Sequence, residues 1–235
     1  MIKEATLIFG YNDYAKEIIK QMAGDNMPVY VYTMDPALLM EAEAAGCNVA
    51  LFDLSDDWDE IARRFDTGNL RLFCTLQDDA ENIFLTISLR AAFKDIFIVA
   101  LARNQESARK LRMAGADKTM PILQTTANII TERLEKPIVM GAVHDLLYGR
   151  SEVMIEQMVI SENSPFVGKR VEELDDMKIH NIIIFCVADS SHRTYFAVTK
   201  KGRHHQIAAN DIIIIIGYNN DIEAFKLFLE GREKR

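Results

Sequence analysis

The sequence has few cysteines, no long apolar run and no excess of positive charge. Its three cysteines, Cys47, Cys74 and Cys186, lie far apart without a C-x-x-C pair, which argues against a zinc or redox site and predicts three buried, small hydrophobic side chains. The longest apolar runs, residues 182–188 and 212–216, are far shorter than the ~20 residues that span a bilayer. We therefore expect no membrane helix.

Two further absences concern location and partners. The first residues lack the basic stretch and cleavable apolar segment of a secretory signal, so we expect a cytoplasmic protein. The 27 basic residues form no block long enough to follow a phosphate backbone, so we expect no nucleic-acid partner. The net charge of −8 favours solubility and identifies no partner.

Short β-rich runs alternate with amphipathic segments of helix length from residue 5 to about residue 120. This alternation is typical of a parallel sheet covered by helices. Strands are predicted at 6–9, 29–33, 49–52, 71–75, 96–100 and 118–120. Helices are predicted at 14–23, 37–45, 57–65, 80–93 and 106–114, several closed by a glycine: Gly24, Gly46 or Gly115. The fold class is therefore α/β, with a Rossmann-like, doubly wound parallel sheet.

The pattern changes after residue 121. Apolar residues keep a helical spacing from 122 to 148, and Pro137 predicts a break into two helices, the second ended by Gly149. Strands predicted at 153–160, 182–188, 194–198 and 212–217, with a helix at 221–229, then indicate a small α+β domain. The predicted domains are 1–120, a helical crossover at 121–150, and 151–235. The last is small for a solitary core, so we expect it to bury surface against a second copy.

The turn after the first predicted strand reads Gly10-Tyr11-Asn12-Asp13-Tyr14-Ala15, where nucleotide-binding Rossmann folds have G-x-G-x-x-G. Gly10 supplies the tight turn. Asn12 replaces the glycine that lets a pyrophosphate approach, although Asn tolerates left-handed backbone geometry, and Ala15 is an accepted third residue. The helix N-terminus is predicted to attract an anion. The alternative is a strand–helix turn without a ligand.

Further candidate residues lie where the other strands end, at the edge where open α/β sheets bind ligands. Thr33 stands in place of the acid that usually binds ribose hydroxyls, and Asp35 is predicted to cap the next helix. Arg103 is the best candidate for a phosphate partner, with a solvated arginine or an intersubunit ion pair as alternatives. The candidates after strands three to five are Asp53, Leu54, Thr75 and Arg103.

Acidic residues at the same edge have two interpretations. Asp56 and Asp79 are predicted to cap helices, with a direct ligand role as the alternative. A cation site at Asp78, Asp79 and Glu81 is a less favoured hypothesis, because these residues lack calcium-loop spacing.

Histidine and nucleophile patterns do not indicate an enzyme. None of the five histidines has a metal-site spacing, and His204 and His205 are interpreted as solvated turn residues. The sequence contains no nucleophile elbow and no recognisable triad. We therefore expect no catalytic activity and no catalytic residues.

Two sets of motifs resemble a known family. The Gly10 turn, residues 75–82, and Leu111-Arg112-Met113-Ala114-Gly115-Ala116-Asp117 followed by Met120-Pro121 resemble the RCK_N (TrkA-N) domain, which regulates potassium conductance. Ser164-Pro165-Phe166-Val167-Gly168-Lys169, then Val171-Glu172-Glu173-Leu174, and Asn210-Asp211-Ile212 before Gly217 are similar to the RCK_C (TrkA-C) pattern. The resemblance covers nearly the whole chain.

The resemblance implies a ligand-sensing regulatory subunit or tail that gates potassium flux through a membrane channel or transporter. Such a protein lies in the cytoplasm, at the inner face of the membrane through its partner. The resemblance also implies homodimers, clasped by the helices around Pro137, that assemble into a tetrameric or octameric gating ring.

The resemblance further implies an adenine nucleotide ligand: ATP, ADP, AMP or NAD. The candidate ligand-binding residues are Gly10, Tyr11, Asn12, Asp13, Ala15, Thr33, Asp53, Leu54, Thr75 and Arg103. Asn12 and Thr33 depart from the nucleotide-binding pattern, which leaves the identity of the ligand open. Calcium-gated relatives have carboxylates at positions that here are Thr75, Leu101 and Arg103, so that calcium site is not expected. The alternative functions are a soluble NAD-dependent oxidoreductase and an assembly module with a vestigial pocket.

Overall fold

The computed structural model describes residues 2–24, 27–55, 58–148, 152–175, 181–191 and 193–229. The chain forms two compact units, Met1–Thr131 and Glu132–Arg235. Asp56 and Asp57, Gly149, His180 and His192 lie outside the described residues, as do the cap predicted at Asp56 and the helix end predicted at Gly149.

The first unit is a six-stranded parallel sheet flanked by helices. Its strands are β1 (Ala5–Phe9), β2 (Val29–Thr33), β3 (Asn48–Leu51), β4 (Leu70–Cys74), β5 (Phe97–Ala102) and β6 (Lys118–Pro121). Its connecting helices are α1 (Asp13–Met22), α2 (Pro36–Ala44), α3 (Asp59–Arg64), α4 (Asp79–Ala92) and α5 (Gln105–Met113). The strand order is β3-β2-β1-β4-β5-β6, which confirms the doubly wound fold. Predicted and observed elements agree to within about two residues.

Strand β1 lies at the centre of this sheet, where the strand order reverses. Every residue of β1 is buried, because helices cover both faces of the sheet, and this explains its almost continuous apolar sequence. The Phe9 ring contacts the rings of Tyr32, Phe52 and Trp58 at centroid distances of 5.1, 5.3 and 5.6 Å. Phe9 is the last residue of β1 and Tyr32 the last but one of β2, so this aromatic cluster lies beside the Gly10 turn.

The helices that follow β1, β2, β4 and β5 each begin with an Asn or Asp cap. Asn12, Asp35, Asp78 and Asn104 accept hydrogen bonds from the first backbone N–H groups of α1, α2, α4 and α5. The cap predicted at Asp35 is confirmed. The cap predicted at Asp79 is wrong, because Asp78 holds that position and Asp79 is the first residue of the helix.

Two helices connect the sheet to the rest of the chain: α6 (Ile122–Glu135) and α7 (Pro137–Leu147). Pro137 is at the start of α7, as expected for a residue that cannot continue a helix but fits its first turn. Neither helix buries a single side chain, although both contain large apolar residues. The most exposed are Leu123, Leu134, Ile138 and Leu147.

The second unit contains a small antiparallel sheet of order β7-β10-β8-β9. Its strands are β7 (Val153–Val159), β8 (Ile183–Ala188), β9 (Thr194–Phe196) and β10 (Ile212–Tyr218), and its helices after α7 are α8 (Val171–Asp175), α9 (Lys200–Arg203) and α10 (Asn219–Leu229). Ile213 and Ile215 of β10 alternate inward, and Phe225 of α10 is buried in the same apolar core. This arrangement confirms the small α+β domain, while the short helices α8 and α9 had no sequence prediction.

The three cysteines are free thiols, and the predicted burial holds for two of them. Cys74 and Cys186 are buried, and burial raises the pKa of the Cys74 thiol to about 12. The prediction is wrong for Cys47, which is partly exposed beside the α2–β3 turn.

Candidate functional site

The Gly10 turn brings β1 and β4 very close together. Gly10 has φ +104°, in the region that favours glycine, and a Cβ atom at this position would lie 2.9 Å from Thr75 Oγ1. The Thr75 hydroxyl in turn donates to the Phe9 carbonyl at 2.9 Å. Gly10 is therefore required by the backbone geometry of the sheet edge, with or without a ligand.

Asn12 bridges two elements rather than adopting a left-handed turn. Its backbone is extended, with φ −114° and ψ −177°, so the expected use of left-handed geometry is wrong. Its Oδ1 accepts from the Ala15 backbone N–H at 3.1 Å, which caps α1. Its Nδ2 donates to the Thr75 carbonyl oxygen at the end of β4. The Asn12 side chain therefore occupies the space that a second glycine would leave open.

Two cavities lie at this edge, on either side of Asn12. The first, of about 310 Å³, is lined by Asn12, Tyr14, Thr75, Leu76, Gln77, Asp79, Leu101, Ala102, Arg103, Ile122 and Leu123. The second, of about 330 Å³, is lined by Gly10, Tyr11, Asn12, Asp13, Lys16, Thr33, Met34, Asp35, Leu38, Leu76 and Gln77. We call them the Arg103 cavity and the Asp35 cavity. Only Asn12, Leu76 and Gln77 line both.

Arg103 is the positive charge of the first cavity. Its Nη2 lies 3.4 Å from the Gln77 carbonyl oxygen, a long hydrogen bond to an exposed group. Within the described part of the chain, no carboxylate forms an ion pair with this guanidinium. Asp79, which shares the cavity, accepts instead from Ser107 Oγ at 2.6 Å. Arg103 is therefore available to an anionic ligand.

Lys16 is the positive charge of the second cavity, and it is already paired. Its Nζ lies 2.7 Å from Glu41 Oε1 and 5.1 Å from the centre of the Tyr11 ring. The hydrogen bond to Glu41 raises the pKa of the Lys16 ammonium. Asp13 and Asp35 add negative charge to the same lining. This cavity is thus less suited to a phosphate than the Arg103 cavity is.

The predicted site residues divide into those that line a cavity and those that do not. The structure brings together Gly10, Tyr11, Asn12, Asp13, Thr33, Thr75 and Arg103. Ala15 is fully buried within α1, and Leu54 packs against the apolar core. Asp53 accepts from the Ser55 hydroxyl at 2.6 Å and from its N–H at 2.8 Å, which lowers the pKa of Asp53. None of these three residues lines either cavity.

Thr33 has a structural role at the position where a ribose-binding acid was expected. Its side chain is buried, and Oγ1 accepts from the Asp35 backbone N–H at 3.2 Å. This bond orients the start of α2 and brings Asp35 to the mouth of the cavity. Asp35, rather than Thr33, therefore supplies the carboxylate of this strand end.

Asn82 is an organising residue that sequence reasoning missed. It is completely buried, and its amide donates to the Cys74 carbonyl at 3.2 Å and to the Leu101 carbonyl at 2.9 Å, while Oδ1 accepts from the Leu76 N–H at 3.2 Å. These bonds tie together the ends of β4 and β5, and with them the wall of the Arg103 cavity. The sequence feature that could have indicated this role is an Asn on the apolar face of α4.

The cation hypothesis receives no support from the structure. Asp78 Oδ1 is used by the N–H groups of Ala80 and Glu81, and Asp79 is bonded to Ser107. In the part of the chain that the structure describes, no three His, Cys, Asp or Glu side chains could share a metal ion.

His205 is not the solvated turn residue that was predicted. Its Nε2 lies 3.1 Å from Asp211 Oδ2, and the side chains are only 15% and 3% exposed. The ring stacks on Tyr195 at a centroid distance of 4.2 Å, and Asp211 also accepts from the Ala208 N–H at 2.9 Å. These contacts hold the loop that leads into β10.

Comparison with known proteins gives a family match within the first unit and a curated relative that aligns with nearly the whole chain. The TrkA-N domain family matches residues 6–121. Potassium channel protein 1 of Methanocaldococcus jannaschii is 23% identical over 228 residues, which are 97% of this chain and 67% of that protein. The chain thus spans about two thirds of this curated relative.

Of the two solved structures compared with this chain, the human SLO3 gating ring shows the same fold. The human SLO3 gating ring aligns with a TM-score of 0.65 and 11% identity over 94% of this chain and 46% of that one. The GsuK channel bound to NAD aligns with a TM-score of 0.47 and 17% identity over 97% of this chain and 39% of that one. The chain therefore spans less than half of these solved chains. None of the described helices has the length and apolarity needed to cross a membrane.

Proposed function

Since this chain is a TrkA-N/RCK domain protein related to the RCK domains of potassium channels, we propose that it is a non-catalytic regulatory domain. In this proposal, a ligand binds at the β1–β4 edge and thereby controls potassium flux through a membrane channel or transporter. The observation that carries the proposal is Arg103, an exposed guanidinium without a carboxylate partner among the described residues, in a cavity at the edge where such sheets bind ligands.

The ligand class that we propose for this edge is an adenine nucleotide. A guanidinium binds phosphate oxygens through two parallel hydrogen bonds, which Arg103 can offer. In the Arg103 cavity, the apolar side chains of Leu101, Ile122 and Leu123 offer a surface for a base. Both cavities fall at the lower end of the ~300–1,000 Å³ range of small-molecule sites.

Regulation requires that the ligand bind two conformations of an assembly with different affinity. The exposed apolar helices α6 and α7 supply the surface for a homodimer, which we place within a tetrameric or octameric ring. The ring acts at the cytoplasmic face of the membrane, through contact with the channel or transporter. Ligand-dependent changes in dimer geometry would then change the force on the pore.

Isothermal titration calorimetry with ATP, ADP, AMP, NAD⁺ and NADH tests the proposal. We expect at least one nucleotide to bind, and Arg103→Ala to weaken it by roughly tenfold or more, because a charge-assisted hydrogen bond is lost. Arg109→Ala is the matched control, since Arg109 is an exposed arginine of α5 that lines neither cavity. Absence of heat with every nucleotide, or equal weakening by both variants, would contradict the proposal.

A second candidate function is an assembly module whose pocket no longer binds ligand. The observation that favours it is the hydrogen bond from the Ala15 N–H of α1 to Asn12 Oδ1, because an anion would otherwise accept from this N–H group. This function predicts the same oligomer and the same melting temperature with every nucleotide. A nucleotide-binding domain should instead gain stability as the ligand concentration rises.

A further inference from the structure

Asn12 differs from the other three helix caps at this edge of the sheet. Asp35 and Asp78 are carboxylates, which accept hydrogen bonds from their own helices. Asn104 Oδ1 likewise accepts from the Glu106 and Ser107 N–H groups of its own helix. Asn12 caps α1 in the same way, but its amide also donates across the sheet edge to Thr75, 63 residues away. Helix capping explains the hydrogen bond that Asn12 Oδ1 accepts, but it does not explain the hydrogen bond that Asn12 Nδ2 donates to Thr75.

The bridge from Asn12 to Thr75 runs between the two cavities. The residues common to both linings are Asn12, Leu76 and Gln77, and Thr75 lines the Arg103 cavity on the far side of the bridge. The side chain therefore stands at the passage where a Rossmann fold with a second glycine lets a pyrophosphate cross from one half-site to the other. Because Asn12 is held at both ends, it cannot leave this passage without breaking two hydrogen bonds.

We propose that Asn12 is a specificity-determining residue that divides the cleft into two compartments and excludes dinucleotides, so that the ligand is a mononucleotide or smaller. The inference rests on the proposed function for the identity of the ligand class. Each compartment, at about 310 and 330 Å³, lies at the lower end of the ~300–1,000 Å³ range of small-molecule sites, so we expect one compartment to hold no more than a mononucleotide, whereas a dinucleotide needs both compartments and the passage between them.

The charges of the two compartments favour binding of the ligand's phosphate in the Arg103 cavity. Phosphate is attracted to the Arg103 cavity, because the positive charge of the other cavity, Lys16, is already paired with Glu41 and two carboxylates stand beside it. A mononucleotide satisfies this preference with its phosphate on Arg103. A dinucleotide would have to put its linking pyrophosphate against Asn12, where the Ala15 N–H is already used.

The experiment measures the affinities of ADP, AMP and NADH for the wild type and three variants by calorimetry, with NADH fluorescence as a second readout. Asn12→Gly removes the bridge and keeps a residue that is tolerated at a helix cap. Asn12→Ser keeps the cap oxygen but has no amide to reach Thr75. Asn104→Gly is the matched control, because it removes an asparagine cap of the same sheet edge that lines neither cavity.

We expect the wild type and Asn104→Gly to bind ADP or AMP at least about tenfold more tightly than NADH. In Asn12→Gly and Asn12→Ser, the affinity for NADH should rise by roughly tenfold relative to that for ADP. Equal affinities of the wild type for NADH and ADP, or an unchanged ratio in both Asn12 variants, would overturn the inference.

Failure of the proposed function gives a different result. If the wild type binds no nucleotide, nucleotide sensing is excluded. Crystal structures of the wild type and Asn12→Gly then test separately whether Asn12 divides the cleft into two compartments. Two separate cavities in the wild type and one continuous cleft in the variant support it. A wild-type structure with the Asn12 amide turned away from Thr75 overturns it.

Discussion

The guanidinium of Arg90 and the carboxylate of Asp117 form an ion pair of 2.6 Å that joins α4 to the loop leading into β6. The same carboxylate oxygen accepts from the Ile98 backbone N–H at 2.7 Å, at the start of β5. Arg90 also donates to the Gly115 carbonyl at 2.9 Å and to the Lys94 carbonyl at 2.6 Å. One arginine therefore connects the end of a helix with two successive loops of the sheet.

Replacing this arginine should destabilise the first unit. Arg90→Met keeps much of the apolar stem but loses four hydrogen bonds, so we expect the free energy of unfolding to fall by about 1–3 kcal/mol. Urea denaturation followed by circular dichroism measures the change. Arg109→Met, on the exposed side of α5, is the control and should have little effect. Equal unfolding midpoints for the two variants would show that the Arg90 contacts contribute nothing.

Gly10 provides a test of the backbone geometry at the site. Gly10→Ala places a Cβ 2.9 Å from Thr75 Oγ1 in a backbone with φ +104°, and a residue with a side chain costs ~1–2 kcal/mol in such geometry before any clash. We expect a loss of at least about 2 kcal/mol in thermal or urea unfolding. Gly24→Ala, which meets no atom within 4 Å, should change stability little. If Gly10→Ala is as stable as Gly24→Ala, an alanine at position 10 causes no strain, and the prediction is wrong.

The sheet of the first unit was predictable because local pattern and tertiary burial agree there. The apolar run of β1 is buried on both faces, and the Asn or Asp residues before α1, α2, α4 and α5 mark helix starts. The helices α8 and α9 were missed because, at 5 and 4 residues, they are too short to show a helical period. Gly202, inside α9, further obscured that helix, since glycine favours turns.

The site was predictable in place but not in detail. Strand ends gave the positions of Thr75 and Arg103, because parallel strands end at the same edge. The bond from Asn12 to Thr75 and the buried bonds of Asn82 depend on residues far apart in the chain, which no local pattern records. His205 was misassigned for the same reason, since its partners Asp211 and Tyr195 become visible only in the folded loop.

Asp189 makes the stability of the second unit depend on pH in the acid range. Burial alone would raise the pKa of this carboxyl, but hydrogen bonds from the backbone N–H, Tyr195 hydroxyl and guanidinium donors around it outweigh burial and lower the pKa to about 2. The value for an unfolded chain is about 3.9. Because the folded value is the lower one, the stabilising contribution is complete above about pH 4 and is lost as the pH falls towards 2.

NMR titration of the side-chain carboxyl carbons checks this directly. We expect Asp189 to titrate near pH 2, and the stability difference between the wild type and Asp189→Asn to shrink as the pH falls from about 4. Glu162→Gln, in an exposed turn after β7, is the control and should not produce this pH-dependent difference. A titration of Asp189 near pH 4 would show that its hydrogen bonds do not form in solution.

The apolar surface of α6 and α7 makes the last prediction, which concerns assembly. Leu134 is 79% exposed and Ile138 is 84% exposed, so replacing both with Asp removes little packing among the described residues but puts two charges into the proposed dimer interface. Light scattering during size-exclusion chromatography should show the wild type as a dimer or larger and the double variant nearer the 26.7 kDa monomer, with an intact circular dichroism spectrum. Leu227→Asp introduces one such charge on α10, where the side chain is 51% exposed, and should leave the oligomer unchanged. If the Leu227 variant dissociates and the double variant does not, the interface lies elsewhere and the crossover helices are exposed for another reason.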